Sequence, residues 1–239
     1  MLGWEEGMGC EIDHVFVCSS PGAPEADLLV ALGLSEGSPN RHSGQGTANR
    51  RFFFDNAMLE LLWIAAGSLL PRRRGRHRHR ASVSGSGGRS GRRAPVRSAS
   101  ACGRPPRLPR RFPRFRAWEC RSGYSPVALP VACNASVVTE PLLFYAPAHR
   151  RTGWEPREHR IGVRELTHVR ILIPGGHSGS PEIESLRTLT TLSLQSSDAQ
   201  SMILTFDHGR RQQRTDLHPA LPLVVEWMVG PSTGCLASE

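Results

Sequence analysis

The sequence predicts an α+β fold with two copies of one strand–helix–strand module, interrupted by a block rich in arginine. A pattern of Glu, aliphatic, polar, His, Val, any residue and aliphatic occurs at 11–17 and again at 165–171. A Pro/Gly turn and a short helix-like segment follow each copy. The offset between the two histidines is constant (168 − 14 = 154), as expected for an internal repeat. We therefore expect His14 and His168 to share a central cleft.

The first module, residues 11–64, alternates strand and helix signals. Its first strand contains Ile, Val and Phe, which favour a pleated backbone, and a Pro-Gly pair follows it. An apolar stripe predicts the helix and Gly33 its end. The sequence Asp-Asn marks a turn between the last two strands, which form a hairpin. The predicted elements are a strand at 11–18, a helix at 24–34 and strands at 47–54 and 57–64.

The central block, residues 65–116, holds 16 of the 30 Arg residues and no Asp or Glu. It shows no hydrophobic period, so we predict a disordered segment. Three interpretations compete: a basic arm for nucleic acid, a solvated linker, and an out-of-frame translation of GC-rich coding DNA. The abrupt edges and the absence of Lys favour the third. The rest of the chain contains 14 Arg and 21 Asp and Glu residues, which gives it a net charge of −7. The Arg-rich block therefore makes the whole chain basic, with a net charge of +9.

Residues 117–228 are predicted to hold connecting strands and the second module. Large apolar residues return near Trp118 and are spaced at first among prolines. The predicted elements are an extended segment at 137–145, a strand at 166–173, a helix near 181–189, short strands at 192–194 and 201–206, and a last strand at 221–228.

Composition excludes some classes of protein. No run of 18 apolar residues occurs, so we expect no transmembrane helix and no membrane partner. The acidic N-terminus lacks the order of charges and apolar residues of a signal peptide. The six cysteines are scattered without a C-x-x-C pair, which argues against a zinc knuckle and favours a cytoplasmic setting.

Each module offers one histidine on its first strand and one glutamate within the apolar run of its last. An unpaired carboxylate is unfavourable in an apolar setting, so each is expected to be partnered, exposed or bound to a metal. If the modules face each other, four ligands converge: His14, Glu60, His168 and Glu226. This set of N and O donors suits a divalent ion such as Zn, Ni, Mn, Co or Fe. The alternative is that His168 is an ordinary core or surface residue and Glu226 a solvated one.

Such an ion would polarise a substrate oxygen and acidify the neighbouring C–H group. A carboxylate displaced from it, Glu60 or Glu226, would then act as the catalytic base. Asn49 and Arg50, on a strand beside the site, are predicted to contact substrate, with Arg50 pairing a carboxylate. His42, in a Gly-rich loop, is a third candidate for substrate binding. The alternative for Arg50 and His42 is an ordinary exposed side chain.

These residues resemble the glyoxalase-like domain of the vicinal oxygen chelate superfamily. His14 and Glu60 match the metal ligands of that superfamily in position and type, and Gly-Thr-Ala-Asn-Arg resembles its third-strand motif. The segments that carry the resemblance are 12–17, 41–50, 59–63, 162–171 and 218–223. It covers residues 11–64 and 117–228 and omits the Arg-rich block, where relatives would have a helix and a further strand.

The resemblance implies paired βαβββ modules that form a curved mixed sheet around a cleft, with a divalent metal in catalytic members. It implies a metal-dependent lyase or isomerase that chelates a small oxygenated substrate through two oxygens and transfers a proton. Because related modules often pair, a homodimer is an alternative to the monomer. Fold resemblance does not choose the chemistry.

Two other functions compete with that one. A metal-free small-molecule-binding protein on the same fold would line an apolar pocket with Trp63, Trp227 and residues 52–54. The second alternative is nucleic-acid binding through the Arg-rich segment, which would weaken steeply with added salt. The segment lacks interleaved aromatic residues, so this partner is expected only if the reading frame is genuine.

Overall fold

The computed structural model describes residues 12–42, 46–65, 100–103, 117–120, 129–137, 139–146, 154–175, 179–209 and 212–228. This part of the chain forms two mixed β-sheets with few helices, so the predicted α+β class is confirmed. No helix within it is long and apolar enough to cross a membrane.

The elements follow in chain order. They are β1 (Ile12–Cys18), α1 (Ala26–Leu32), β2 (Asn40–His42), β3 (Thr47–Phe53), β4 (Met58–Ile64), β5 (Ser100–Gly103), β6 (Ala117–Cys120), β7 (Leu129–Ala132), β8 (Phe144–Ala146), β9 (Leu166–Pro174), α2 (Pro181–Ser185), β10 (Leu192–Ser197), β11 (Ser201–Phe206), β12 (Gln212–Asp216) and β13 (Leu223–Met228). Short 3-10 helices occupy Cys133–Ser136, Leu186–Thr188 and Asp207–Gly209.

The first sheet contains eight strands in the order β2-β3-β4-β1-β5-β8-β7-β6. β1 is parallel to β4, which is antiparallel to β3, and β3 is antiparallel to β2. The other half repeats this arrangement, with β5 parallel to β8, and β8, β7 and β6 successively antiparallel. β1 and β5 meet antiparallel at the centre. The sheet therefore consists of two quartets of strands with the same internal order, joined at the seam between β1 and β5.

The predicted first helix is confirmed and ends where the sequence indicates. Gly33 has φ of 118°, and its N–H donates to the carbonyls of Leu29 and Val30 at 3.2 and 3.0 Å. A Cβ at this position would lie 2.9 Å from Ile161 Cγ2. Positive φ and close approach together require a glycine, which ends the helix in the usual left-handed cap.

The second sheet contains five strands in the order β10-β9-β11-β13-β12. β9 is parallel to β10 and antiparallel to β11, while β11 is parallel to β13 and β13 antiparallel to β12. The crossover helix α2 starts at Ser180, whose Oγ accepts a hydrogen bond from Ile183 N at 3.3 Å, with Pro181 in its first turn. This is the usual N-terminal chemistry of a helix.

One hydrophobic core connects the two sheets. The rings of Phe54 and Phe206 lie 4.5 Å apart, and Asn56 exchanges two hydrogen bonds of 2.9 Å with the backbone of Leu166. His159 accepts from Ser35 N at 2.9 Å and lies 3.0 Å from the carbonyl oxygen of Phe53. The chain before β9 is thus fixed to the first sheet by satisfied polar groups as well as by apolar contact.

Strand pairing departs from the predicted module boundaries. β6, β7 and β8, predicted to connect to the second module, belong to the first sheet. β5 forms at 100–103, inside the block predicted to lack regular structure; apart from Ala65 and β5, the block lies outside the described residues. β2 lies in a predicted loop, and β12 was not predicted at all. These elements are short or polar, so they form through hydrogen bonds to neighbouring strands rather than through a hydrophobic period.

Candidate functional site

Side chains at alternate positions of neighbouring strands share one face of the first sheet. Phe16 of β1 and Arg51 of β3 both pair with Glu60 of β4, which puts these three on one face. We call this surface the His14 face. Its members on the first four strands include His14, Phe16, Cys18, Met58, Glu60, Leu62, Ile64, Thr47, Asn49, Arg51, Phe53, Asn40 and His42.

The opposite face of the same strands carries the apolar residues that pack into the common core. Val15, Val17, Leu59, Leu61 and Phe52 are fully buried there and belong to the common core. A slip of one residue in any strand would exchange the two faces, so this core fixes the register. Burial of the apolar set thus determines that the polar residues share the His14 face.

His14 is held by a carboxylate and by an aromatic ring. Its Nδ1 lies 2.7 Å from Asp13 Oδ2, and its ring centroid lies 5.0 Å from that of Phe144 on β8. Phe144 also stacks on Phe16, with 6.3 Å between centroids. A carboxylate acceptor at Nδ1 fixes the proton there and orients the imidazole. The sequence analysis missed Asp13 and Phe144 because neither follows a motif and β8 reaches β1 only through strand pairing.

Glu60 is a buried carboxylate, with 8% of the residue exposed. No hydrogen bond to its side chain is present among the described residues. Its charge acts on His42, the pKa of which is lowered by burial, raised by Glu60 and lowered by Arg51 and His14. Burial dominates, so His42 is neutral near pH 7, and His42 Nδ1 lies 2.9 Å from Thr47 Oγ1. His14, His42 and Glu60 therefore form one electrostatically coupled group.

Asn49 is fully buried on this face, at 0% exposure. Its Oδ1 accepts a hydrogen bond of 3.1 Å from Asn40 N, whereas its Nδ2 has no hydrogen-bond partner among the described residues. A buried donor left without a partner costs about 1–3 kcal/mol. Such a group in a folded protein is a candidate for contact with a bound molecule. Asn49 pairs with Leu62 of β4, two positions from Glu60, and its contact with substrate stays a prediction.

Arg50 lies on the other face, contrary to the predicted contact with substrate. Its Nε and Nη2 donate to the two oxygens of Glu36 at 2.7 and 2.5 Å. Its Nη1 lies 2.8 Å from Asp27 and donates to Ala23 O at 3.0 Å. The hydrogen bond with Glu36 is the main reason why the pKa of Arg50 is raised. Arg50 therefore ties α1 and the following loop to β3.

Arg51 is the cation on the His14 face, and the sequence analysis missed it. Its guanidinium donates to Ser38 O at 2.7 Å and to Ser38 Oγ at 2.8 Å, and lies 3.4 Å from Glu155. It also stacks over the ring of Phe53, 4.9 Å from the centroid. These contacts fix Arg51 at one end of the face.

The predicted second pair of ligands, His168 and Glu226, lies in the second sheet. His168 Nε2 is 2.8 Å from Ser193 Oγ, and burial lowers the pKa of His168, with a further decrease from Arg170. Glu226 accepts from Thr205 at 3.3 Å and from Arg214 at 3.4 Å. The strand β11 separates the two residues, which puts their backbones about 10 Å apart at the usual strand spacing. Each thus has its own partners.

The donor set does not fit the predicted four-ligand metal site. Among the described residues, no three His, Cys, Asp or Glu side chains are grouped to hold one ion. His14 and Glu60 lie on adjacent strands of the first sheet, and the other two ligands on strands of the second. The strand register brings Phe144 and Val131 of the other quartet to the His14 face. Neither residue type binds a divalent metal through its side chain.

The predicted aromatic pocket is also corrected. Phe52, Phe54 and Trp227 are buried in the core, and Trp63 packs against it. Phe53 is the exception, since it lies under Arg51. The aromatic rings beside His14 are instead those of Phe16 and Phe144.

Comparisons with known proteins do not assign a family. No protein-family model matches the chain, and no curated protein matches it. The chain aligns with the crystal structure of a hypothetical protein from Staphylococcus aureus, at 9% sequence identity and a TM-score of 0.40. The match covers 92% of this chain and 100% of that protein.

Proposed function

We propose that the chain is a glyoxalase-like protein of the vicinal oxygen chelate superfamily that binds a small oxygenated molecule on the His14 face without a metal. The observation that carries this proposal is the buried Nδ2 of Asn49, which has no hydrogen-bond partner in the described part of the chain and lies on the same face as the buried carboxylate of Glu60. The resemblance of residues 12–17 and 41–63 to that superfamily, and two strand quartets that share one internal order, support the family assignment.

The polar groups on this face define the chemistry of the ligand. Asn49 Nδ2 can donate to a carbonyl or carboxylate oxygen, and Glu60 can accept from a hydroxyl group. Phe16 and Phe144 offer apolar contact beside His14. A small hydroxy acid or hydroxycarbonyl compound carries both kinds of oxygen. We therefore expect such compounds to bind, since the ligand would satisfy two buried groups at once.

The metal-dependent lyase or isomerase remains a prediction that the residues at hand support less well. A catalytic ion is usually held by three protein ligands, and no three His, Cys, Asp or Glu side chains are grouped to hold one among the described residues. Proton transfer by Glu60 would still need the carboxylate within hydrogen-bond reach of the substrate. The binding proposal requires only the groups that the His14 face contains.

Thermal unfolding with glycolate, lactate and pyruvate, in the presence of EDTA, tests the proposal. We expect at least one of these compounds at millimolar concentration to raise the melting temperature. Glu60→Gln and Asn49→Leu should each weaken that binding by about tenfold or more, since a hydrogen bond to a charged or buried group contributes roughly 1.5–3 kcal/mol. Glu165→Gln, at an exposed carboxylate, is the matched control.

Two results would count against metal-free binding. If none of the three compounds changes the melting temperature, the proposed ligand class is wrong. If EDTA removes a stabilisation that added Zn²⁺ or Ni²⁺ restores, and His14→Ala abolishes it, the metal-dependent hypothesis replaces this one.

A further inference from the structure

We propose that Ser201, His218 and Asp216 form a second, catalytic site that hydrolyses small acyl esters through a covalent acyl-serine. This site belongs to the second sheet and is independent of the His14 face. Ser201 Oγ lies 3.1 Å from His218 Nε2, and His218 Nδ1 lies 2.5 Å from Asp216 Oδ1. Nucleophile, base and carboxylate are thus joined through the two different nitrogens of one imidazole, as in serine hydrolases.

The turn between β12 and β13 holds the base in place. His218 N donates to Asp216 Oδ1 at 2.9 Å, so backbone and ring bind the same carboxylate oxygen. Leu217 N and Leu221 N make hydrogen bonds of 2.9 and 3.0 Å that close the turn, and both leucine side chains are buried. Support of this kind keeps a catalytic side chain in its productive geometry.

Asp216 is suited to orient the imidazole. Hydrogen bonds from the backbone and then the side chain of His218 lower the pKa of Asp216, so it is ionised at neutral pH. An ionised carboxylate at Nδ1 keeps the proton on that nitrogen and leaves Nε2 to accept the serine proton. The same carboxylate stabilises the imidazolium that forms.

Burial of the nucleophile restricts the substrate. Ser201 is 5% exposed, whereas the side chains of His218 and Asp216 are 38% and 55% exposed. The hydroxyl therefore lies beneath a base that faces water. An acetyl-sized acyl group fits this arrangement better than a long or branched one. Ser201 Oγ also lies 3.2 Å from Pro222 O, which orients it without supplying a base.

The reaction balances with water as the co-reactant. Ser201 Oγ bonds to the carbonyl carbon of the ester while its proton passes to His218 Nε2. The bond from carbon to the leaving oxygen then breaks, and His218 returns the proton to that oxygen. Water, deprotonated by His218, attacks the acyl-serine, and Ser201 recovers its proton as the acid leaves.

Incubation of the full-length protein with 4-nitrophenyl acetate, followed by acid quenching, intact mass measurement and peptide mapping, tests the proposal with an acyl group of the size that the site favours. We expect one adduct, on Ser201, and a burst of nitrophenolate from 4-nitrophenyl acetate. Ser201→Ala should abolish both. Asp216→Asn and His218→Gln should slow the labelling by about a hundredfold or more, because general-base catalysis contributes about 10²–10⁴. Ser193→Ala is the matched control, since that serine also contacts a histidine but the pair has no carboxylate among its described hydrogen bonds.

Several results would overturn the proposal. An unlabelled wild-type protein, or an adduct that maps to another residue, excludes Ser201 as the nucleophile. Labelling of Asp216→Asn at the wild-type rate excludes the carboxylate from the site. Because Asp216 is exposed, that variant should keep the wild-type circular dichroism, so the result remains decisive even if Ser201→Ala does not fold.

Discussion

Arg50 and Arg51 show how much a single position matters on a strand. The two residues are adjacent in β3, yet Arg50 pairs with Glu36 on the core side of the sheet, whereas Arg51 lies with Glu60 on the His14 face. Alternation along the strand puts them on opposite faces, and the core residue Phe52 decides which face is which. Their chemistry is identical, so their roles follow from position alone.

Replacing Arg50 by Lys should destabilise the protein while leaving the charge unchanged. Lysine cannot form the paired hydrogen bonds to Glu36 or reach Ala23 O with the same group. We expect a loss of about 1–3 kcal/mol in the free energy of unfolding, measured by urea titration. Arg41→Lys, at an exposed position of β2, should stay within about 0.5 kcal/mol. Equal stabilities of the two variants would show that the contacts of Arg50 do not hold α1 and the following loop to β3.

His159 is a second residue whose role follows from its partners. One nitrogen accepts from Ser35 N and the other faces Phe53 O, with the ring 4.9 Å from that of Phe54. His159→Leu would leave a half-buried N–H and a half-buried C=O without their present partner, so we expect about 2–4 kcal/mol of destabilisation in urea. His208→Asn is the control, since His208 is exposed and asparagine tolerates its φ of 61°. A loss below about 1 kcal/mol would contradict this assignment.

At the scale of elements, the two sheets differ in which strands lie next to each other, although strands of both carry the same sequence pattern. β1 and β4 are parallel neighbours, as are β11 and β13. β9 carries the repeat of the β1 pattern, yet its parallel neighbour is β10 rather than the last strand. A short crossover through α2 suffices for that pairing. The repeated pattern therefore predicts a strand but not its neighbours.

The contact between Phe54 and Phe206 couples the elements of the two sheets. Both rings are fully buried, 4.5 Å apart, in the common core. Phe206→Ala should lower the free energy of unfolding by about 3–5 kcal/mol, the usual effect of removing a buried ring. Leu28→Ala, at an exposed site of α1, should change it by no more than about 0.5 kcal/mol. Unfolding followed by urea and circular dichroism compares the two. A small effect at Phe206 would mean that the sheets do not share a core.

At the scale of the whole molecule, three histidines make stability depend on pH. Burial is the first cause that lowers the pKa of His42, His159 and His168 below 6.5. The unfolded chain takes up protons at these positions before the folded protein does. The free energy of unfolding therefore keeps its full value above about pH 6.5. It decreases as the pH drops from about 6.5 towards the lower pKa values that these histidines have in the folded protein.

We expect the melting temperature to be lower at pH 5.5 than at pH 7.5, by about 2 °C or more. Combining His42→Gln with His168→Gln should flatten this dependence, whereas the exposed His208→Gln should not. Differential scanning fluorimetry across the pH series provides the measurement. A melting temperature that is constant or rises towards pH 5.5 would contradict the assigned pKa directions.

The sequence by itself determined the class of the fold and much of the local structure. Strand-forming residues, apolar runs and turn signals identified β1, β3, β4, β9 and β13, and Gly33 marked the end of α1. These features follow from side-chain period and backbone preference, which act over a few residues. The same local signals placed Glu60 and Asn49 on neighbouring strands.

Only the tertiary structure decided which polar groups meet. It joined β5 to β1, brought Phe144 to His14, kept His168 and Glu226 in another sheet, and placed Ser201 beside His218 and Asp216. Any two strands offer each other the same backbone hydrogen bonds, so pairing is selected by burial and packing across the whole chain. The chemistry of a site depends on that selection because its groups come from distant parts of the sequence.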